Sequence, residues 1–424
     1  MASYECGHAG NRRSRQTRST GPLRLALTLL VFLCAHAAVA QTPKPDPRQG
    51  DGGVSAFYTW EKAIPASPGV LLRREPANLG PTDAVDAFRI LYSSTDGVGG
   101  KVPVAVSGAV VLPKGTPPKG GWPVVAWDHG TVGVADVAAP SWHGLFRQKD
   151  DFLNQWLAAG FAIVATDYQG LGVPGPHPYL NVRPEAYSTL DAVRAALKSF
   201  PSLANKILIV GYSQGAGAAF ATAGFAPRYA PDLHVVGTVI GGVPYATAQT
   251  RKDAGAYYDP NKFSPVVAYM LLTALMAEQT HPELKATDIF TDKAAPFLDK
   301  IGQMSLPEAF DATRAAGLTW GNSFKPGGLE RLTGMTAKLV EFPTLKIAHP
   351  VFVGIGEADQ TAVPAVQLLF VKDACAAGTI VEAHRYAGLD HGPAAGRLVK
   401  DAIPFAERLL AGASISPICD PQVE

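Results

Sequence analysis

A serine, an acid and a histidine occur in this 424-residue sequence in an order that suits nucleophilic attack on a carbonyl carbon. The serine is Ser213, at the centre of Gly211-Tyr212-Ser213-Gln214-Gly215. The apolar run Ile207-Leu208-Ile209-Val210 precedes it and Ala216-Gly217-Ala218-Ala219-Phe220 follows it. This reads as strand, sharp turn and helix. The hydroxyl is lifted off the sheet, and glycines two positions away on either side let strand and helix pass closely. A serine hydroxyl needs a base, and the base needs an acid that fixes its tautomer and stabilises its cation. In sheet-borne sites of this kind the chain order is serine, acid, histidine. Asp359, in Gly356-Glu357-Ala358-Asp359, and His391, in Leu389-Asp390-His391-Gly392, fill the remaining roles. Glu357 and Asp390 are the competing acids, and Asp390 is set aside because adjacent side chains diverge. A tetrahedral oxyanion needs donors already in place. One is expected from the backbone N–H of Gln214. The other is expected from the loop Asp128-His129-Gly130-Thr131, with Thr131 preferred and Asp128 the alternative; His129 is read as structural.

These residues need a frame that holds them at one edge. Apolar runs mark strands at Ala87–Tyr92, Val102–Leu112, Pro123–Trp127, Phe161–Asp167, Lys206–Tyr212, Val235–Gly241, Pro350–Ile355 and Ile380–Tyr386. Helical patterns lie between most of them, at Asp150–Ala159, Glu185–Phe200, Ala216–Phe225, Val363–Ala376 and Ala394–Leu410. Such alternation predicts the α/β class, a mostly parallel central sheet flanked by helices, with active residues at the carboxyl ends of its strands. Asp359 and His391 each follow a strand. The alternation stops between Ala246 and about Ala348, where helical patterns dominate (Pro265–Glu278, Leu306–Ala316, Leu329–Val340). The expected division is a signal peptide over 1–40, a flexible leader over 41–53, a core over 54–245, a helical cap over 246–348 and the rest of the core over 349–424. Asp167, directly after a strand, is read as holding the turn Gly170–Gly175. Tyr168 and Tyr179, with His177 beside the latter, are the candidate substrate-binding residues.

Composition narrows the function classes. Arg12, Arg13, Arg15, Arg18 and Arg24 precede an uncharged apolar run from Leu25 to Ala35, and Ala38-Val39-Ala40 has the small-x-small pattern of a signal-peptidase site. The run is too short to span a bilayer, which takes about 20 apolar residues. Export with cleavage near Ala40, to the periplasm or the medium, is the expectation. The cut removes five arginines and Glu5, leaving 32 basic against 35 acidic residues. That balance gives no reason to expect nucleic acid or an anionic membrane as partner. Cys375 and Cys419 are the cysteines left, and an exported chain with one remaining pair is expected to join them. Neither the histidine nor the cysteine spacing makes a metal site, and no phosphate-binding loop or dinucleotide fingerprint is present.

The segments W-D-H-G-T-V-G-V-A-D (127–136), A-T-D-Y-Q-G-L-G-V-P-G-P-H-P-Y-L (165–180), G-Y-S-Q-G-A-G-A-A (211–219) and G-E-A-D-Q-T-A-V-P (356–364) together resemble the secretory lipase family. Its members are bacterial and fungal secreted lipases and esterases of the α/β-hydrolase superfamily. The likeness runs from about residue 85 to the C-terminus, with Ala216 standing where many relatives carry glycine. It implies the α/β-hydrolase fold and a triad falling on Ser213, Asp359 and His391, beneath a helical cap. It also implies hydrolysis of carboxylic esters without metal or organic cofactor. The expectation is therefore an exported lipase or esterase working through an acyl-serine intermediate on a small-molecule or lipid ester. Transient contact with a lipid interface fits that reading, and no obligate protein partner is inferred. The alternatives are an acyltransferase or peptidase on the same scaffold, or a non-catalytic binding protein.

Overall fold

Residues 43–100, 102–145 and 152–424 are described by a computed structural model, and the expected signal peptide lies outside them. The strand that leads to Ser213, β6, shows how the frame is built. β6 spans Leu203–Tyr212. Its side chains alternate between faces. Ile207 and Ile209 enter one hydrophobic cluster, while Leu208 and Val210 enter another on the opposite face. The first cluster holds residues of α2 (Val182–Ser199), α3 (Gln214–Tyr229) and α7 (Pro364–Ala376). The second is closed by α1 (Phe152–Ala158) and α8 (His391–Leu410). A sheet covered on both faces carries near-continuous apolar strands, and this one does.

The other strands are β1 (Leu71–Pro76), β2 (Ala84–Thr95), β3 (Pro103–Pro113), β4 (Trp122–Asp128), β5 (Ala162–Thr166), β7 (Val235–Gly241), β8 (Val351–Gly356) and β9 (Val381–Tyr386). Their order is β1-β2-β3-β5-β4-β6-β7-β8-β9. β5 through β9 in that order pair in parallel, and β1, β2 and β3 are antiparallel additions at one edge. The parallel part puts the carboxyl ends of β4, β6, β8 and β9 on one side, where the candidate residues follow.

Between β7 and β8 the regular elements among the described residues are helical. The longest are α4 (Val266–Thr280), α5 (Leu306–Ala315) and α6 (Gly328–Thr336). They share a core of their own, including Leu271, Leu275, Phe290 and Leu332, which also takes in Val134 and Tyr179 from the sheet domain. Leu306 N–H donates to Val132 O at 2.9 Å and Val182 N–H to Leu339 O at 3.0 Å, so backbone bonds fasten this insertion beside the carboxyl edge.

One strand is added to those expected, and two local expectations are corrected. β1, Leu-Leu-Arg-Arg-Glu-Pro, is a strand that its charges concealed; at an edge one face meets water. α8 starts at His391 rather than Ala394, because a Gly and a Pro in a first turn remove no intrahelical bond. The leader is not a free segment from residue 43 onward. Pro47–Gln49 forms a turn of 3₁₀ helix capped by Asp46, Asp51 accepts from Gly175 N–H at 2.8 Å, and Asp136 accepts from Gly52 N–H at 2.8 Å. Arg48 pairs with Glu278 of α4 at 2.7 Å and with Asp299 at 3.3 Å. At the far edge the C-terminal tail lies along β9, with Ile418 N–H donating to Val381 O at 2.7 Å, and Cys375 and Cys419 are joined in a disulfide. Among the described residues no helix is long and apolar enough to cross a membrane.

Candidate active site

The turn between β6 and α3 is forced into a shape that few residues accept. Ser213 has φ 61° and ψ −123°. Strain of this kind at a non-glycine residue clusters at functional sites. Its flanking glycines are required by contact. A Cβ on Gly211 would lie 1.9 Å from Gly215 O, and one on Gly215 would lie 1.9 Å from Asp128 O. The turn is thus pressed between its own helix and the end of β4. Ser213 N–H donates to Gly241 O at 2.9 Å, which fixes the apex to β7. Gln214 is the first residue of α3, so its N–H has no acceptor within the helix.

Of the three acids weighed from the sequence, Asp359 is the one that meets the histidine. Its Oδ2 lies 2.7 Å from His391 Nδ1, and its Oδ1 accepts from Thr361 N–H and Ala362 N–H at 2.8 Å each. Asp359 is buried. Glu357 is engaged by Arg385 at 2.8 and 2.9 Å. Asp390 caps α8, accepting from His391 N–H at 2.7 Å. Tyr212 donates its hydroxyl to His391 O at 2.5 Å, holding the start of α8 against the residue before Ser213. With Nδ1 donating to Asp359, Nε2 of His391 is left as the acceptor. Ser213 and His391 line one cavity of about 440 Å³.

Thr131 lines that cavity too, and its Oγ1 lies 2.9 Å from the Tyr179 hydroxyl. Asp128 is wholly buried below the turn and accepts from the Thr189 hydroxyl; burial pushes its carboxyl well above the ordinary range. His129 sits with Nδ1 2.7 Å from Gly130 O and Nε2 3.3 Å from Asp167 O. Asp167 accepts from Ser141 N–H at 2.8 Å and from the Ser107 hydroxyl at 2.6 Å, and Ser107 also meets Leu171 O at 3.2 Å. The Asp167 carboxylate thus holds Ser107 and Ser141, and it reaches the glycine-rich turn only by way of Ser107.

Tyr168 does not line either cavity at Ser213. Its backbone turns left-handed (φ 70°), which directs the ring under the β4 loop, where its hydroxyl donates to His129 O at 3.0 Å. Its place is beneath the loop that follows β4 rather than at the wall of a cavity.

A second cavity, of about 260 Å³, also opens on Ser213 and runs under the helical insertion, past Tyr179, Met270, Val340 and Phe342. Several threonines face it, but their hydroxyls are already engaged. Thr273 donates to Tyr269 O at 2.9 Å, Thr333 to Leu329 O at 2.9 Å and Thr336 to Leu332 O at 3.1 Å. Its wall therefore behaves as apolar. Sequence reasoning missed Glu185, which is buried at this wall; its only signal was a carboxylate on the apolar face of a helix. Away from the cavities, His384, Asp401 and Glu424 group together, with Arg397 already 2.7 Å from Asp401.

The family model of the secretory lipases matches residues 141–381, more than half of the sequence. The chain belongs to the secretory lipase family. Among similar proteins, Lipase 7 of Candida albicans is 38% identical over 128 residues, covering 28% of this chain and 29% of that protein. The chain thus matches less than a third of that relative's length. Among solved structures, Candida antarctica lipase A in its closed state superposes with a TM-score of 0.69 at 20% identity, covering 87% of this chain and 89% of the other. The rice cell wall degrading esterase LipA of Xanthomonas oryzae gives 0.65 at 21% identity, covering 82% and 100%. At such identities the likeness concerns the fold, which is that of the α/β-hydrolases.

Proposed function

We propose that this family member is an exported serine hydrolase that cleaves carboxylic esters with an apolar acyl chain. The observation that carries the reading is the strained Ser213 opening on the same cavity as His391, whose Nδ1 is held by buried Asp359 at 2.7 Å. Ser213 Oγ attacks the ester carbon while His391 Nε2 takes its proton. Asp359 keeps the imidazole in the accepting tautomer and stabilises the cation that forms. The N–H groups of Gln214 and Thr131 receive the oxyanion. His391 returns the proton to the departing alkoxide, leaving an acyl-serine and an alcohol. A water, deprotonated by the same imidazole, then releases the acid.

The two cavities divide the substrate. His391 lines the larger one, so the alcohol departs there, and the acyl chain lies in the smaller, apolar one. Each methylene buried in such a wall contributes about 0.8 kcal/mol. The insertion between β7 and β8 serves as a cap over that cavity, and residues 1–40 direct export. The substrate is a small-molecule or lipid ester, met in part at a lipid interface, and the residues named need no cofactor for these steps.

Ser213→Ala is expected to lose nearly all turnover of p-nitrophenyl esters and all labelling by a fluorophosphonate probe, with an unchanged thermal midpoint. Turnover near that of the wild type in this variant would refute the assignment.

A further inference from the structure

The Glu185 side chain sits where the supports of the two expected oxyanion donors converge. Its Oε1 accepts from Gln214 Nε2 at 2.7 Å and from Leu180 N–H at 3.0 Å. The first bond holds the side chain of the residue whose backbone N–H opens α3. The second holds Leu180 in a left-handed turn, φ 59°. That turn follows Tyr179, whose hydroxyl meets Thr131 Oγ1 at 2.9 Å. His177 completes the arrangement. Its Nδ1 lies 2.9 Å from Gln169 O, which makes Nδ1 the protonated nitrogen and leaves Nε2, 3.3 Å from Gln214 Nε2, to accept the second amide hydrogen. Burial lowers His177 to about 4, in keeping with the neutral ring this requires. Both hydrogens of the Gln214 amide are therefore directed, one by an acid and one by an imidazole.

We propose that Glu185 is the positioning residue of the oxyanion hole, holding Gln214 directly and Thr131 through Leu180 and Tyr179. The inference rests on the ester-hydrolase reading above. It adds a pH dependence that the triad does not supply. Burial pushes Glu185 up to about 8, against the Gln214 hydrogen bond and with the Asp128 carboxyl adding to the rise. The titratable groups facing it are Asp128 from the end of β4, and Tyr168, His177 and Tyr179 from the connection between β5 and α2. Burial raises both tyrosines well above their ordinary value, so they stay neutral with His177 across the working range. At neutral pH Glu185 carries its proton. Its ionisation at alkaline pH places a negative charge beside the site where the oxyanion must form, which opposes the transition state.

The test is a pH profile of kcat and KM on a soluble p-nitrophenyl ester for the wild type, Glu185→Gln, Glu185→Ala and Asp128→Asn, with Ser213→Ala as control. Glu185→Ala is expected to lower kcat ten- to a hundredfold with little change in KM, the size of loss that a small misplacement of catalytic groups produces. Glu185→Gln keeps an acceptor for Gln214 and Leu180. It is expected to recover most of that loss and to remove the alkaline fall in kcat near pH 8 seen in the wild type. An alkaline fall that persists in Glu185→Gln, or one that disappears in Asp128→Asn instead, overturns this inference and leaves the ester-hydrolase reading standing. Full turnover in Ser213→Ala overturns both.

Discussion

Replacing Asp359 by asparagine exchanges one oxygen for an amide group, and the surroundings dictate which one. Oδ1 accepts two backbone N–H groups, from Thr361 and Ala362, at 2.8 Å each. An asparagine oxygen must stay there, because an amide nitrogen in that place would face two donors. Its NH₂ then takes the position of Oδ2, 2.7 Å from His391 Nδ1. A donor at that distance forces Nδ1 to accept, and the imidazole must carry its hydrogen on Nε2. In that tautomer it cannot take the Ser213 proton. A trapped tautomer of this kind lowers kcat by about 10⁴ in a serine-histidine-aspartate site. At about 1.36 kcal/mol per decade, that corresponds to about 5.5 kcal/mol of barrier. Side-chain volume barely changes and both backbone bonds are kept, so the thermal midpoint should stay within a degree or two. Stopped assays on a soluble p-nitrophenyl ester at pH 7 to 8, with an imidazole-nitrogen NMR measurement of the tautomer, check both halves. A kcat within tenfold of the wild type, in a variant whose imidazole does carry hydrogen on Nε2, would refute the role given to Asp359.

Two further outcomes concern stability. The Cys375–Cys419 bridge closes a loop with a sequence separation of 44, for which chain entropy gives about 4 kcal/mol; Cys375→Ser should lower the thermal midpoint by about 5 °C, given the unfolding entropy of a chain of this size, and no fall on either mutation or reduction would count against the bridge. Glu185 has a folded-state value above its unfolded one, so the folded chain keeps a proton that the unfolded chain sheds. The wild type should therefore lose stability relative to Glu185→Gln as pH rises from about 4.5 to about 8, by on the order of a few kcal/mol, as read from thermal midpoints across that range.

The turn at Ser213 was legible in the sequence because its requirements are local. Apolar strand, close-packed glycines and a small-residue helix start lie within fifteen positions, and the contacts at Gly211 and Gly215 are what that spelling encodes. Asp359 and His391 were legible for the same reason, each following a strand. Choosing Asp359 over Glu357 was not a local matter, since the deciding contact, Arg385 on Glu357, comes from the neighbouring strand. Tyr168 was misplaced because a left-handed backbone at a tyrosine is not announced by its neighbours. Glu185 escaped notice because it belongs to no motif; its meaning comes from two residues on other segments. The leader misled through composition. Proline, glycine and polar residues are common in mobile chain, but here their carboxylates cap and bridge.

That leader has a consequence for how the molecule comes together. Arg48 finds its partners 230 and 251 positions further along, at Glu278 and Asp299. A polypeptide emerging amino end first presents Arg48 long before either acid exists, and contacts of such separation are slow to close. The clasp of Arg48 on Glu278 and Asp299 can therefore close only after both acids have been made, and it ties the turn at Pro47–Gln49 to the helices over the apolar cavity.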